Sequence, residues 1–166
     1  MEQLETLKSK VQRETLKEAF LKEEWDLFVT LHWRHKDYPI ERAHSKLNAL
    51  DAWLGSAMVG KRFNRQSNFC KRVKWVGTLG RNEKQHLHAH LLVQLPPGAQ
   101  EIQIVNLIDE YHKTLQGEDT YTLDVSLNDK TPIVNYILLQ RHLPVEAGVL
   151  NLNHIVFSHN YEMPRI

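Results

Sequence analysis

A chain of 166 residues, 42% hydrophobic, is long enough to build one core without disulfides or a structural metal, and its single cysteine, Cys70, excludes an internal disulfide. A formal net charge of +1 removes the broad signature of a wholly basic nucleic-acid protein, and no segment reaches membrane-spanning length. One domain over 1–166 is expected, in a reducing intracellular setting and with no membrane partner, since no basic and apolar leader opens the chain.

Residues 1–24 space Leu4, Leu7, Val11, Leu16 and Phe20 at helical intervals with charge between them, which predicts an amphipathic leading helix. WDLFVTLHW (25–33) alternates as a strand, with Trp25, Leu27, Val29, Leu31 and Trp33 on one side and Phe28, Thr30 and His32 on the other. From Pro39 a helical pattern runs to about Met58 through Ala43, Leu47, Leu50 and Leu54. A polar, basic loop follows from Gly60 to Asn68. RVKWVGTLG (72–80) and the run from His86 to Leu95 read as two strands of a hairpin, which Pro96-Pro97-Gly98 ends. A second helix is expected over 101–116, an alternating strand over 120–127, and a short helix from about Pro132 to Arg141. The tail, 142–166, contains an apolar stretch (149–157) able to form a further strand, which the pattern does not place. Strands with one apolar face each, interleaved with helices, predict an α+β domain, an antiparallel sheet of four or five strands with helices on one face.

The second hairpin strand carries the chemistry. In HLHAHLLVQL, His86, His88, His90, Leu92 and Gln94 project one way, and Leu87, Ala89, Leu91, Val93 and Leu95 the other. Three alternating histidines on an otherwise apolar strand point to a metal on the open face. Residues four apart on a strand are separated by roughly 13 Å, whereas ring nitrogens lie about 2.0–2.1 Å from an ion such as zinc. His86 and His90 therefore do not share one ion, and the pair is 86/88 or 88/90.

Charge is also uneven. No acidic residue falls between Ala52 and Asn82, where Lys61, Arg62, Arg65, Lys71, Arg72, Lys74 and Arg81 cluster, a stretch suited to phosphates or to a merely solvated face. In TPIVNYILLQRH (131–142), Ile133, Val134, Ile137 and Leu138 form an apolar stripe, leaving Tyr136 and Gln140 one turn apart on another face. A tyrosine beside a metal can serve as a nucleophile, although ionising a phenol of pKa near 10 at pH 7 costs about 4 kcal/mol that a nearby cation must offset.

The strand FVTLHW, the hairpin strand HLHAHLLVQL, a helix, an amphipathic strand and then NYILLQ resemble, in that order over residues 25–141, the HUH (His-hydrophobic-His) single-tyrosine endonucleases. That superfamily includes rolling-circle replication initiators, relaxases and small single-strand transposases. The resemblance implies a ferredoxin-like sheet, a Mg2+ or Mn2+ ion, and a tyrosine that nicks and rejoins single-stranded DNA through a 5′-phosphotyrosine. Carried over, Tyr136 is the nucleophile, His88 and His90 are the metal pair, and 86/88 is the alternative. Initiators often place a glutamate about eight residues before the pair, where this chain has Gly80, and a lysine about a turn beyond the tyrosine, where it has Leu139 and Gln140. Gln140 instead matches the small transposases, whose glutamine four residues past the tyrosine completes the metal site. Glu83, in the hairpin turn, is a further candidate. The implied partners are single-stranded DNA or an origin hairpin, with a helicase supplied separately. A transposase-like enzyme and a non-catalytic single-stranded nucleic-acid binder are the competing readings.

Overall fold

In a computed structural model describing residues 7–126, Val134, Leu138 and 154–162, the alternating segments pair into one five-stranded sheet. In chain order the elements are α1 (Leu7–Lys22), β1 (Leu27–Lys36), α2 (Ile40–Val59), β2 (Lys74–Arg81), β3 (His86–Gln94), α3 (Glu101–Thr114), β4 (Tyr121–Ser126) and β5 (Ile155–Phe157). The strand order is β4-β1-β3-β2-β5, and every pairing is antiparallel. From β1 to β4 the chain runs β-α-β-β-α-β with order 4-1-3-2, the split arrangement of ferredoxin-like domains. The expected α+β class holds, with β5, from the unplaced apolar tail, as the fifth strand.

Period-two patterning sorts the side chains into two layers. Leu27, Val29, Leu31 and Trp33 of β1 and Leu87, Ala89, Leu91 and Val93 of β3 pack against Ala43, Leu47, Leu50 and Leu54 of α2 and Ile104, Ile108 and Tyr111 of α3. Each large side chain so buried contributes about 1.5–3 kcal/mol, and this layer is the main core. Gly77 of β2 allows close strand packing there, because an added Cβ would collide with the His90 carbonyl oxygen.

The opposite face is partly covered. Leu16 and Phe20 of α1, with Trp25, Val134 and Leu138, cluster on Val76, Leu92 and Ile155. Trp25, expected beside Leu27 in the main core, belongs to this second layer. It precedes β1, so strand alternation does not govern it, and its indole N–H donates to the Phe20 carbonyl at 2.7 Å. Val11, expected on the buried stripe of α1, is 56% exposed, because the helix meets the sheet through its later turns. Val134 and Leu138 are helical and fully buried, as their spacing requires. The expectations for Leu4, Leu127, Ile133, Tyr136, Ile137 and Gln140 fall outside the described residues. No helix among the described residues is long and apolar enough to cross a membrane.

Candidate metal centre on the sheet

Antiparallel register converts three strand sequences into rows of side chains across the second face. Thr122, His32, His88 and Gly80 form one row; Asp124, Thr30, His90, Thr78 and Ile155 form the next; Ser126, Phe28, Leu92, Val76 and Phe157 form the third. The third row is apolar at its centre and underlies the second cluster. The first two rows are polar, so the histidines occupy the part of the sheet next to that apolar cover.

His88 and His90 are brought together, with ring centroids 4.6 Å apart and planes tilted by 56°. Two imidazoles bound at right angles to one ion, with metal–nitrogen bonds near 2.1 Å, would have centroids roughly 4.5 Å apart, so the pair fits half of a metal site. His86 does not join it. A bulge in β1 between His32 and Lys36 sits opposite His86, whose Nδ1 lies 3.4 Å from the Trp33 carbonyl oxygen. The structure therefore favours 88/90 over 86/88.

His90 is buried and held on two sides. Its Nδ1 is 3.0 Å from the Thr30 hydroxyl, and its ring stacks on Phe28 at 5.5 Å and 19°. With Nδ1–H donating to Thr30, Nε2 presents a lone pair, the tautomer a metal ligand needs. Burial, reinforced by His88 and then His32, lowers the His90 pKa to about 3, so the ring is uncharged at neutral pH. Neutral imidazole is the ligating form.

His32 is the residue that sequence reasoning missed. It lies directly across the ladder from His88, with centroids 5.7 Å apart, and is exposed. Alternation in FVTLHW already put it on the polar side of its strand; what was lacking was the register that sets it beside His88 rather than two residues away. Even so, among the described residues no group of three or more His, Cys, Asp or Glu side chains is arranged to hold a metal. The described donors supply a pair plus a neighbour, and the third ligand expected at Gln140 lies outside them. Glu83 is an exposed residue of the hairpin turn, which Asn82 closes by accepting the backbone N–H groups of Lys84 and His86; it is part of no donor group.

The basic stretch divides. Lys61, Arg62, Arg65 and Lys71 are exposed. Arg72, expected to face nucleic acid, is instead 3% exposed and donates to Asp51 at 2.7 Å. Asp51 also accepts from the Trp75 indole at 3.1 Å and the His159 backbone N–H at 3.1 Å, so Arg72 anchors a buried network joining α2, β2 and the segment after β5. Lys74 is half-buried and pairs with Glu23 at 2.9 Å. The cationic face is therefore smaller than the sequence implies.

No protein-family model, curated protein or solved structure matches this chain. The chemistry must be read from the arrangement itself. Two adjacent imidazoles, one of them neutral and oriented by a hydroxyl and an aromatic ring, beside an exposed third imidazole, are suited to a divalent ion, and the four exposed cations between α2 and β2 to phosphates.

Proposed function

We propose that this protein is a metal-dependent enzyme that nicks and rejoins single-stranded DNA with Tyr136 as nucleophile, starting rolling-circle replication of a small plasmid or virus. One observation carries the reading. His88 and His90 stand side by side on one sheet face, with ring centroids 4.6 Å apart, the spacing two ligands of one ion adopt, and Tyr136 is the nucleophile that the sequence resemblance supplies.

His88 and His90 are the proposed ligands of Mg2+ or Mn2+, with Gln140 as the third. Such an ion supplies polarisation of the scissile phosphate and offsets charge developing on it. The Tyr136 oxygen gives up its proton and bonds to phosphorus, while the bond from phosphorus to the 3′ oxygen breaks. That oxygen takes up a proton, leaving a 3′-hydroxyl and a 5′-phosphotyrosine. Attack by a 3′-hydroxyl on the phosphotyrosine reverses the exchange, so joining needs no ATP. Thr30 and Phe28 keep His90 in one orientation, and Lys61, Arg62, Arg65 and Lys71 hold the DNA backbone. Gln140 in place of an initiator's lysine keeps a transposase-like role as the nearest variant of this chemistry.

A binding-only reading draws on the missing three-donor group among the described residues. Incubating the protein with labelled single-stranded DNA and Mn2+ separates the two: the nicking reading requires a denaturation-resistant protein–DNA adduct that EDTA abolishes. Tight binding without any adduct would reject it.

A further inference from the structure

The strands that carry the histidines also end in a cleft that the nicking chemistry does not use. Lys74 and Gln94 pair across β2 and β3, and alternation puts both on the histidine face, Gln94 four residues from His90, or roughly 13 Å along the strand. Beyond them Phe69, Cys70, Pro96 and Pro97 line a cleft of about 400 Å3. A second cleft of about 450 Å3 shares Cys70, Pro96 and Pro97 with the first and continues past Lys71 and Gln103. Among the described residues no carboxylate lines either one.

Three properties decide what fits. The volume is that of one nucleotide-sized ligand on each side of the proline ridge. The walls are apolar at Phe69, Pro96 and Pro97, with Gln94 and Asn160 alongside, their amide nitrogens donating to the Glu24 and Phe69 carbonyls. The rim is cationic: Lys71 lines the second cleft at the end of the 3-10 turn Gln66–Lys71, and the exposed Lys61, Arg62 and Arg65 precede that turn. A small anion would leave the apolar walls unused, and an apolar ligand would leave the cations unused.

We infer that this paired cleft is a nucleotide-binding trough, in which successive bases of a single strand pack against Phe69, Pro96 and Pro97 while Lys71 and the preceding loop hold the phosphates. The inference rests on the single-strand reading of the protein but concerns binding remote from the histidines. It gives the enzyme a grip on its strand away from the proposed metal centre: at roughly 3.4 Å per stacked nucleotide, about four nucleotides span the distance from His90 to Gln94 at the edge of the trough.

Cys70, exposed and the single cysteine of the chain, reports on occupancy. The protein is held in EDTA, so that nicking is blocked, and alkylated with N-ethylmaleimide alone and with a saturating mixed-sequence 12-mer of single-stranded DNA, saturation being set by fluorescence anisotropy. Alkylation should slow by about tenfold or more with the 12-mer and much less with an abasic strand of equal length, because the bases fill the trough. Cys70→Trp, which fills the cleft from an exposed position, should weaken 12-mer binding by about tenfold, while Cys70→Ser binds as the unaltered protein does. Equal alkylation rates for free and bound protein, or undiminished binding by Cys70→Trp, would overturn the inference. Adducts at Tyr136 with Cys70 unprotected would overturn it alone; protection without adducts would overturn only the nicking chemistry; no binding at all would overturn both.

Discussion

His90 shows how a single side chain is fitted for one task. Burial and two neighbouring imidazoles lower its pKa to about 3, against an ordinary value near 6.5. A group whose folded pKa is depressed contributes stability that is present above its unfolded pKa and lost as pH falls through the folded one. Stability should therefore decline on acidification from about pH 6.5 towards 3, by at most about 1.4 kcal/mol per pH unit from this residue. Urea unfolding of the metal-free protein at several pH values should show that slope, and His90→Gln should flatten it. The neighbouring histidines differ in what they offer. His88→Ala should abolish metal-dependent cleavage. Gln140→Ala should raise the Mn2+ requirement on the order of ten to a hundredfold, and His86→Ala should change it little, since His86 is turned to the Trp33 carbonyl. If His32→Ala rather than Gln140→Ala raises the requirement in cleavage titrations, the third ligand is His32.

At the scale of elements, the strands were legible because alternation is a local property. HLHAHLLVQL and FVTLHW sorted their own faces correctly, and Val134 and Leu138 were rightly assigned to a buried stripe. What spacing within one strand does not contain is register between strands, and that is why His32 was not recognised as the neighbour of His88 and why the choice between 86/88 and 88/90 stayed open. The same limit explains Arg72. A cation in a basic run reads as surface, and only the approach of Asp51 from α2 makes it an internal ion pair. Tyr136 and Gln140 read as a pair one turn apart, and both lie outside the described residues. Leu138 is 1% exposed in the second cluster, so Leu138→Ala should cost about 2–5 kcal/mol in chemical unfolding. On the proposed mechanism it should also slow adduct formation more than it weakens DNA binding. Equal losses in both would show that the residue merely holds the fold together.

At the scale of the whole molecule, a nearly neutral chain presents four exposed cations, Lys61, Arg62, Arg65 and Lys71, in the segment between α2 and β2, beside strands that carry the proposed chemistry at one end and a trough at the other. Binding strength should come mainly from that segment. Replacing Lys61, Arg62 and Arg65 with serine should weaken unrelated single strands alike and lower the salt slope of binding by roughly 0.7 per lost phosphate contact, measured by anisotropy titration across salt concentrations. An unchanged slope would mean that these cations face only water. The central claim, however, is that a covalent bond forms at one tyrosine. Digesting the denatured adduct formed with Mn2+ and single-stranded DNA, and locating the nucleotide-bearing peptide by mass spectrometry, tests it most directly. The account predicts a single 5′-phosphotyrosine at Tyr136 and none in Tyr136→Phe, which should still bind DNA; linkage at any other residue, or adducts persisting in Tyr136→Phe, would contradict it.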